Sequence, residues 1–280
     1  MSKFVELLRQ AARGGESSMG FSLGRKAAAQ RAALLLAVTL PRNDEAPSRP
    51  PFREARRDGA SEEALARIAL EAGADALVLP LHAPGDREVI LKLAGERPCG
   101  IMAEDRLTPA DLAALAETGF DFAILYAHHA PADLQAAKIG RVIAVDHTCG
   151  ERLLATLNVL DVDAVLAAIL PPAEQGQPLT FQALMRYRLL ADLVRQPLIV
   201  PAQAALRPED VATLWHAGAE ALLLSGPVLG ESAESLRTNI AAFRQAIAAL
   251  PRTRRFRRAA EERVVLPAIT PAALEEEQEW

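Results

Sequence analysis

Imidazole and carboxylate side chains are concentrated at a few positions of this 280-residue chain. Four of the five histidines and three acidic residues stand at or just after the ends of apolar segments: His82, His128, His129, His147, Glu104, Asp105 and Asp146. Such groups, brought together, transfer protons near neutral pH or bind a divalent metal. The alternative is a polar rim that only contacts water, since neighbours such as Asp146 and His147 cannot both point inward. We assign Glu104, His128, Asp146 and His147 as candidate catalytic residues.

Two absences narrow this chemistry further. The chain has no HxH, HExxH or CxxC spacing, so neither a metal nor another cofactor is predicted. The four lysines, Lys3, Lys26, Lys92 and Lys138, all lie away from the C-terminal ends of the apolar segments. A Schiff-base mechanism requires a lysine in the site, so this mechanism is disfavoured.

The elements that must position these residues follow from a repeat. Residues 98–126 and 197–225 align without a gap, and Gly119 then matches Gly218. Each copy predicts a strand, a helix with proline at its first position, a glycine suited to the left-handed helix end, and a second strand. Units of this βαβ kind in series indicate a parallel sheet.

The whole chain continues this pattern. Apolar segments predicted as strands are 34–40, 75–81, 98–104, 121–127, 141–146, 163–170, 198–203 and 220–225. Predicted helices are 3–13, 61–73, 86–94, 108–118, 131–138, 151–160, 180–195, 207–217 and 232–250. Strands that are each followed by a helix predict an α/β fold, the (β/α)8 TIM barrel. The alternative, an open doubly wound sheet, lacks its glycine fingerprint after the first strand.

Three predicted domain segments result. Residues 1–33 form an N-terminal helix and linker, residues 34–250 form the barrel, and residues 251–280 form a charged C-terminal tail. The predicted connection at 41–60 far exceeds the usual ~2–6 residues of such loops, and loops of this length are usually functional or disordered.

Three glycine-containing segments carry a family resemblance. Ala72-Gly-Ala-Asp-Ala-Leu-Val-Leu, Thr118-Gly-Phe-Asp-Phe-Ala-Ile-Leu and Ala217-Gly-Ala-Glu-Ala-Leu-Leu-Leu-Ser-Gly resemble the phosphate-binding TIM-barrel superfamily. Indole-glycerol-phosphate synthase, thiamin-phosphate synthase and thiazole synthase belong to that superfamily. The resemblance covers residues 34–250 and implies the fold, with an active site at the C-terminal ends of the strands. It does not imply a particular reaction.

The resemblance also implies a phosphate site after the last two strands. Ser225 and Gly226, just before the last helix, are the candidate phosphate-binding residues, because backbone N–H groups there can hold an anion. The preceding loop, 203–206, lacks the glycines that the superfamily uses for close approach. An ordinary glycine turn entering a helix is therefore the alternative.

Composition limits the partners and the compartment. The net charge of −5 argues against nucleic acid, which requires a basic surface. Only two cysteines are present, and no apolar run resembles a signal peptide or is long enough to span a membrane. We therefore expect a cytoplasmic protein that binds neither nucleic acid nor membrane.

The tail differs in character from the barrel. It runs from a basic arm at 252–258 through an apolar centre at 264–269 to an acidic end carrying Trp280. A solvated, disordered end is the usual outcome for such charge runs, but low hydrophobicity is what keeps segments disordered. We expect the tail to mediate homo-oligomer formation.

Two function classes remain open at this point. The first is a lyase or isomerase acting on a small phosphorylated or carboxylated metabolite. The second is a barrel without catalytic activity that serves as a structural or assembly subunit. The histidine cluster favours the first. The absence of a lysine at the strand ends, the incomplete phosphate motif and the long tail favour the second.

Overall fold

The computed structural model describes residues 2–13, 33–40, 61–81, 87–134 and 138–251. Its strands are β1 Leu35–Thr39, β2 Ala76–Pro80, β3 Cys99–Ala103, β4 Phe122–Tyr126, β5 Gly140–Asp146, β6 Ala164–Ala168, β7 Leu198–Pro201 and β8 Ala221–Leu224. Its α-helices are α1 Lys3–Arg13, α2 Glu62–Glu71, α3 Arg87–Ala94, α4 Pro109–Glu117, α5 Glu151–Ala155, α6 Phe181–Leu193, α7 Val211–Ala217 and α8 Ala233–Ala248. Short 3₁₀ turns occur at Thr156–Val159, Pro172–Glu174, Pro208–Asp210 and Gly226–Leu229.

The eight strands form one closed parallel barrel in chain order. Closure is made by β1 and β8, where Leu36 lies opposite Leu222 and Val38 opposite Leu224. Each remaining strand pairs in parallel with the next one along the chain. The predicted (β/α)8 barrel is confirmed, and the open doubly wound sheet is excluded because this sheet has no edge.

Two hydrophobic cores hold the barrel together, and the period of two along each strand divides residues between them. In β1, Leu35 and Ala37 belong to the core inside the barrel, whereas Leu36 and Val38 pack against the surrounding helices. This double burial explains why the strands are continuous apolar runs.

Helix α1 closes the barrel at the N-terminal ends of the strands. Its Phe4 and Leu8 belong to the inner core, and the Phe4 ring stacks on Phe122 with centroids 4.2 Å apart. The Asp121 carboxylate, just before β4, accepts the backbone N–H groups of Lys3 and Phe4, both at 2.8 Å. The N-terminal helix is therefore packed into the base of the barrel.

The internal repeat corresponds to β3–α4–β4 and β7–α7–β8. The helical segments of the two copies begin alike: the Thr108 N–H donates to Asp111 at 2.8 Å, and the Arg207 N–H donates to Asp210 at 2.9 Å. Both glycines predicted to end the helices have positive φ, +106° and +115°. At the second of them, Gly218, a Cβ would also lie 2.4 Å from the Cβ of Ala191, so α7 ends in close contact with α6.

The connection between β4 and β5 departs from the prediction. The helix predicted at 131–138 is wrong, because its described residues are not helical. The amides of His129 and Ala130 both donate to the Tyr126 carbonyl at 2.9 Å, which forms a tight turn directly after β4. The turn takes up the first residues after β4, and residues 131–134 that follow it are not helical.

Several predicted features lie outside the described residues. These are the linker at 14–32, the connection 41–60, His82, and the tail from residue 252 onward. No helix within the described ranges is long and apolar enough to cross a membrane.

Candidate functional site

Strand alternation brings side chains to the C-terminal mouth of the barrel. Val142 and Ala144 of β5 face the inner core, so Asp146, two residues further on, also lies on the inner side. By the same alternation, Tyr126 at the end of β4 and Glu104 just after β3 also lie on the inner side. One phenol and two carboxylates therefore meet at this mouth.

These residues line one cavity of about 170 Å³, which we call the rim cavity. Its walls are Glu104, Tyr126, His128, His129, Asp146, His147, Ala168, Pro172, Gln175 and Gln203. All four residues that the sequence suggested as catalytic are among them. The lining comes from the ends of β3 to β7, which the closed barrel places side by side.

Asp146 is held as an anion. Its Oδ1 accepts the backbone N–H of Thr148 at 2.8 Å and the Thr148 hydroxyl at 2.5 Å. Burial alone would raise the pKa of Asp146, but these hydrogen bonds, with His147 and His128 nearby, lower it below its ordinary value. Asp146 therefore supplies negative charge at neutral pH and is a poor general acid.

Tyr126 is held in the opposite state. Burial, followed by the charges of Glu104 and Asp146, raises the pKa of its phenol well above the ordinary value. The hydroxyl keeps its proton across the physiological range. It can therefore donate a hydrogen bond inside the rim cavity.

His129 is the best-oriented imidazole of the site. Its Nδ1 lies 2.5 Å from the Glu104 backbone carbonyl, which can only accept, so Nδ1 carries the hydrogen in this contact. In the neutral ring Nε2 then holds a lone pair, as a general base requires. The ring also makes an edge contact with His128, with centroids 4.2 Å apart.

His129 is not among the residues assigned from the sequence. The assigned His128 and His147 lie at the mouth of the cavity with exposed side chains, whereas His129 is half-buried. Adjacent histidines give the same sequence signal, and the turn after β4 decides which ring is held.

Gln203 is a second residue that was not assigned. Its side chain is 3% exposed and lines the rim cavity. Its Oε1 accepts the Leu170 N–H at 3.1 Å, while Nε2 is buried without a hydrogen-bond partner among the described residues. Its position just after β7 was the only available signal.

The candidate phosphate residues lie apart from this group. Ser225 is 2% exposed and Gly226 has φ of +47° at the start of a 3₁₀ turn. Neither lines the rim cavity. In the β1–β8 register the residue beside Ser225 is Thr39, whose buried Oγ1 has no hydrogen-bond partner within the described ranges.

No three His, Cys, Asp or Glu side chains of the described segments are grouped so that they could hold a metal ion. In the rim cavity these segments place the protonated phenol of Tyr126, the imidazole of His129 and the charged carboxylate of Asp146.

The fold and the position of the cavity define a (β/α)8 barrel whose candidate site lies at the C-terminal ends of the strands. No protein-family model and no curated protein sequence matches the chain. Solved structures do match in fold.

Tryptophan synthase from M. tuberculosis is 16% identical, with 76% of this chain and 92% of that chain covered and a TM-score of 0.55. A structure described as native KDPGal is 19% identical, with 78% and 97% covered and a TM-score of 0.54. Orotidine 5'-phosphate decarboxylase from Pyrococcus horikoshii is 12% identical, with 75% and 99% covered and a TM-score of 0.53. These identities show the fold, which agrees with the superfamily resemblance, and do not assign a reaction.

Proposed function

We propose that the rim cavity is the acid–base site of a lyase or isomerase that acts on a small metabolite. The observation that carries this proposal is the convergence of Glu104, Tyr126, His129 and Asp146 in one cavity at the mouth of the barrel. Enzymes of these two classes remove and return protons next to a carbonyl or a leaving group. A decarboxylase, which breaks a carbon–carbon bond, is among the proteins of similar fold.

The residues divide this work by their protonation states. His129, oriented through Nδ1, would accept a proton at Nε2. The Tyr126 hydroxyl, which keeps its proton, would stabilise the oxygen on which negative charge develops. Glu104, in the same cavity, would exchange a second proton, and the Asp146 anion would stabilise positive charge on the neighbouring His147 and His128. His128 and His147, exposed at the mouth, would contact the outer part of the ligand.

The cavity also limits the substrate. About 170 Å³ lies below the ~300–1,000 Å³ of pockets for larger ligands, so the substrate would be small. The phosphate or carboxylate group expected from the sequence would lie toward Ser225 and Gly226. Two carboxylates in the cavity repel an anion there, whereas backbone N–H groups after β8 attract one.

Proton abstraction can be detected without identifying a product. Full-length protein is incubated in D₂O with a panel of small hydroxycarbonyl compounds and their phosphate esters, and loss of C–H signal is followed by proton NMR. We expect exchange with at least one compound, reduced by about 10²-fold or more in His129→Asn. Glu63→Gln, which changes a partly exposed carboxylate on α2, is the control that should exchange normally. Equal exchange in both variants would contradict the proposal.

A second candidate function is supported by one surface. Six large apolar side chains on α5, the following 3₁₀ turn and α6 are between 42% and 85% exposed: Leu153, Val159, Leu160, Phe181, Met185 and Leu189. We call them the α6 apolar surface. On α6 the spacing of four residues aligns three of them along one face. Large apolar side chains exposed together on neighbouring elements are typical of interaction sites, so this surface favours an assembly subunit.

The occupant that we propose for the α6 apolar surface is a second copy of this chain. The Arg188 and Asp192 side chains pair on α6 at 2.8 Å and are both partly exposed, so α6 carries both charges. In a two-fold arrangement each charge can meet its opposite on the other copy. Met185→Glu should then lower the mass measured by light scattering, whereas Gln245→Glu on the exposed side of α8 should not. An unchanged mass in Met185→Glu would rule out this interface.

The tail provides an independent route to self-association, which we also propose. Its basic arm at 252–258 can pair with the acidic end of another copy, and its apolar centre at 264–269 gains from burial. Deleting residues 251–280 should lower the oligomeric mass while circular dichroism of the barrel stays unchanged. A constant mass, together with rapid proteolysis of the tail in the intact protein, would contradict this role.

A further inference from the structure

The side-chain amide of Gln203 is fixed in one orientation. The backbone of this residue is held on both sides, because its backbone carbonyl accepts the Gly176 N–H at 2.7 Å and its backbone N–H donates to the Pro201 carbonyl at 2.8 Å. Its Oε1 accepts the Leu170 N–H at 3.1 Å. Since an N–H can only pair with the oxygen of the amide, this contact identifies which end is nitrogen. Nε2 therefore points away from Leu170.

The nitrogen end is left with a hydrogen-bond requirement. Nε2 is buried and has no partner among the described residues, although Gln203 lines the rim cavity. Buried polar groups in folded proteins are nearly always paired, so an unpaired one calls for a partner such as a bound ligand or water. The nearby Gln175 is different, because its Nε2 donates to the Leu170 carbonyl at 3.0 Å.

The rest of the lining defines which acceptor suits this donor. Glu104 and Asp146 place negative charge in the cavity, and its described walls include no lysine or arginine. After burial, both carboxylates raise the pKa of the Tyr126 phenol, so their charges act on a polar group that lines this cavity. An anionic acceptor would be repelled here, whereas a neutral oxygen would not. Carboxylates also accept hydrogen bonds from hydroxyl groups.

We propose that Gln203 determines the specificity of the rim cavity, its Nε2 donating to the carbonyl oxygen of a hydroxycarbonyl group whose hydroxyls face Glu104 and Asp146. This part of the ligand is neutral, and a phosphate, where the ligand carries one, lies outside the cavity. This inference rests on the proposed function, because it names the class of group bound at the same site. Gln203 is a binding residue here, and no proton transfer is assigned to it.

The test uses three probes of similar size with the full-length protein: dihydroxyacetone, glycerol and pyruvate. Dihydroxyacetone is neutral and has a carbonyl, glycerol is neutral without one, and pyruvate has a carbonyl but is an anion. Dissociation constants are measured by ligand-observed NMR titration. We expect dihydroxyacetone to bind at least tenfold more tightly than either of the others.

Two variants isolate the amide nitrogen. Gln203→Met removes both polar atoms, and Gln203→Glu keeps an oxygen for the Leu170 N–H, so at least one variant retains the local fold. Each should weaken dihydroxyacetone binding at least tenfold. The matched control is Gln196→Met at the base of the barrel, where the lost hydrogen bond is to the Leu157 carbonyl. The control should change the affinity less than threefold.

The outcomes separate this inference from the proposed function. If Glu104→Gln changes the affinity for dihydroxyacetone but both Gln203 variants bind as the wild type does, the cavity is a ligand site and the role of Gln203 is overturned. Tighter binding of pyruvate, or no saturable binding of dihydroxyacetone, also overturns the inference. The deuterium-exchange result with the whole panel then decides the acid–base role on its own.

Discussion

Replacing Phe4 by alanine tests whether α1 is part of the barrel. The Phe4 side chain is 1% exposed, and its ring stacks on Phe122 at 4.2 Å with an interplanar angle of 21°. Phe→Ala changes in cores cost about 3–5 kcal/mol, of which an aromatic pair contributes about 0.5–1.5 kcal/mol. Domains are stable by only about 5–15 kcal/mol, so we expect Phe4→Ala to lose a large part of the free energy of unfolding.

Urea unfolding at 25 °C measures this loss, with fluorescence of the buried Trp215 and circular dichroism as two probes of the same transition. Glu6→Ala is the control, because Glu6 is exposed on the same helix and its loss should change stability by less than about 0.5 kcal/mol. A loss of under about 1 kcal/mol in Phe4→Ala would refute the packing of α1 into the base. A loss equal to that of the control would do the same.

Three further predictions concern single groups. Asp121→Ala should destabilise the protein by about 1–2 kcal/mol in the same assay, because it removes the carboxylate that caps α1. Burial, then the charge of Asp121, raises the pKa of the Cys99 thiol to about 12, so a thiol reagent at pH 8 should label Cys149 first and Cys99 only after unfolding. Labelling of Cys99 at the rate of Cys149 would contradict this. Thr148→Val should raise the pKa of Asp146, because it removes the hydroxyl that donates to the carboxylate, and carbon NMR of the carboxyl group measures this change. A lowered folded-state pKa stabilises the protein above the unfolded pKa and loses this effect as the pH falls, so the variant should lose less stability on acidification.

The candidate site could be predicted in outline. Glu104 and Asp146 were found because parallel strands in a barrel end at one mouth, so the residue after each strand is near its neighbours. The choice among histidines could not be made in this way. The tight turn from Tyr126 to Ala130 places His129, and the Glu104 carbonyl orients its ring. The contact with Glu104 joins separate segments of the chain.

The helix expected at 131–138 failed for a related reason. A short polar and apolar pattern is compatible with a helix, but it does not show how the chain leaves β4. There the amides of His129 and Ala130 donate to the Tyr126 carbonyl, and residues 131–134 after this turn are not helical. Local propensity was overridden by the geometry of the connection.

By itself, the sequence determined the barrel. Continuous apolar strands, the repeated βαβ unit and the glycines ending α4 and α7 are encoded within short segments, and their physics is local. Only the tertiary structure decided that α1 closes the base, where Phe4 meets Phe122, and that the Gln203 amide nitrogen is buried at the cavity without a partner among the described residues. These outcomes depend on groups that are far apart in the chain, as Ser2 and Asp121 are, and no periodic pattern carries information about such distances.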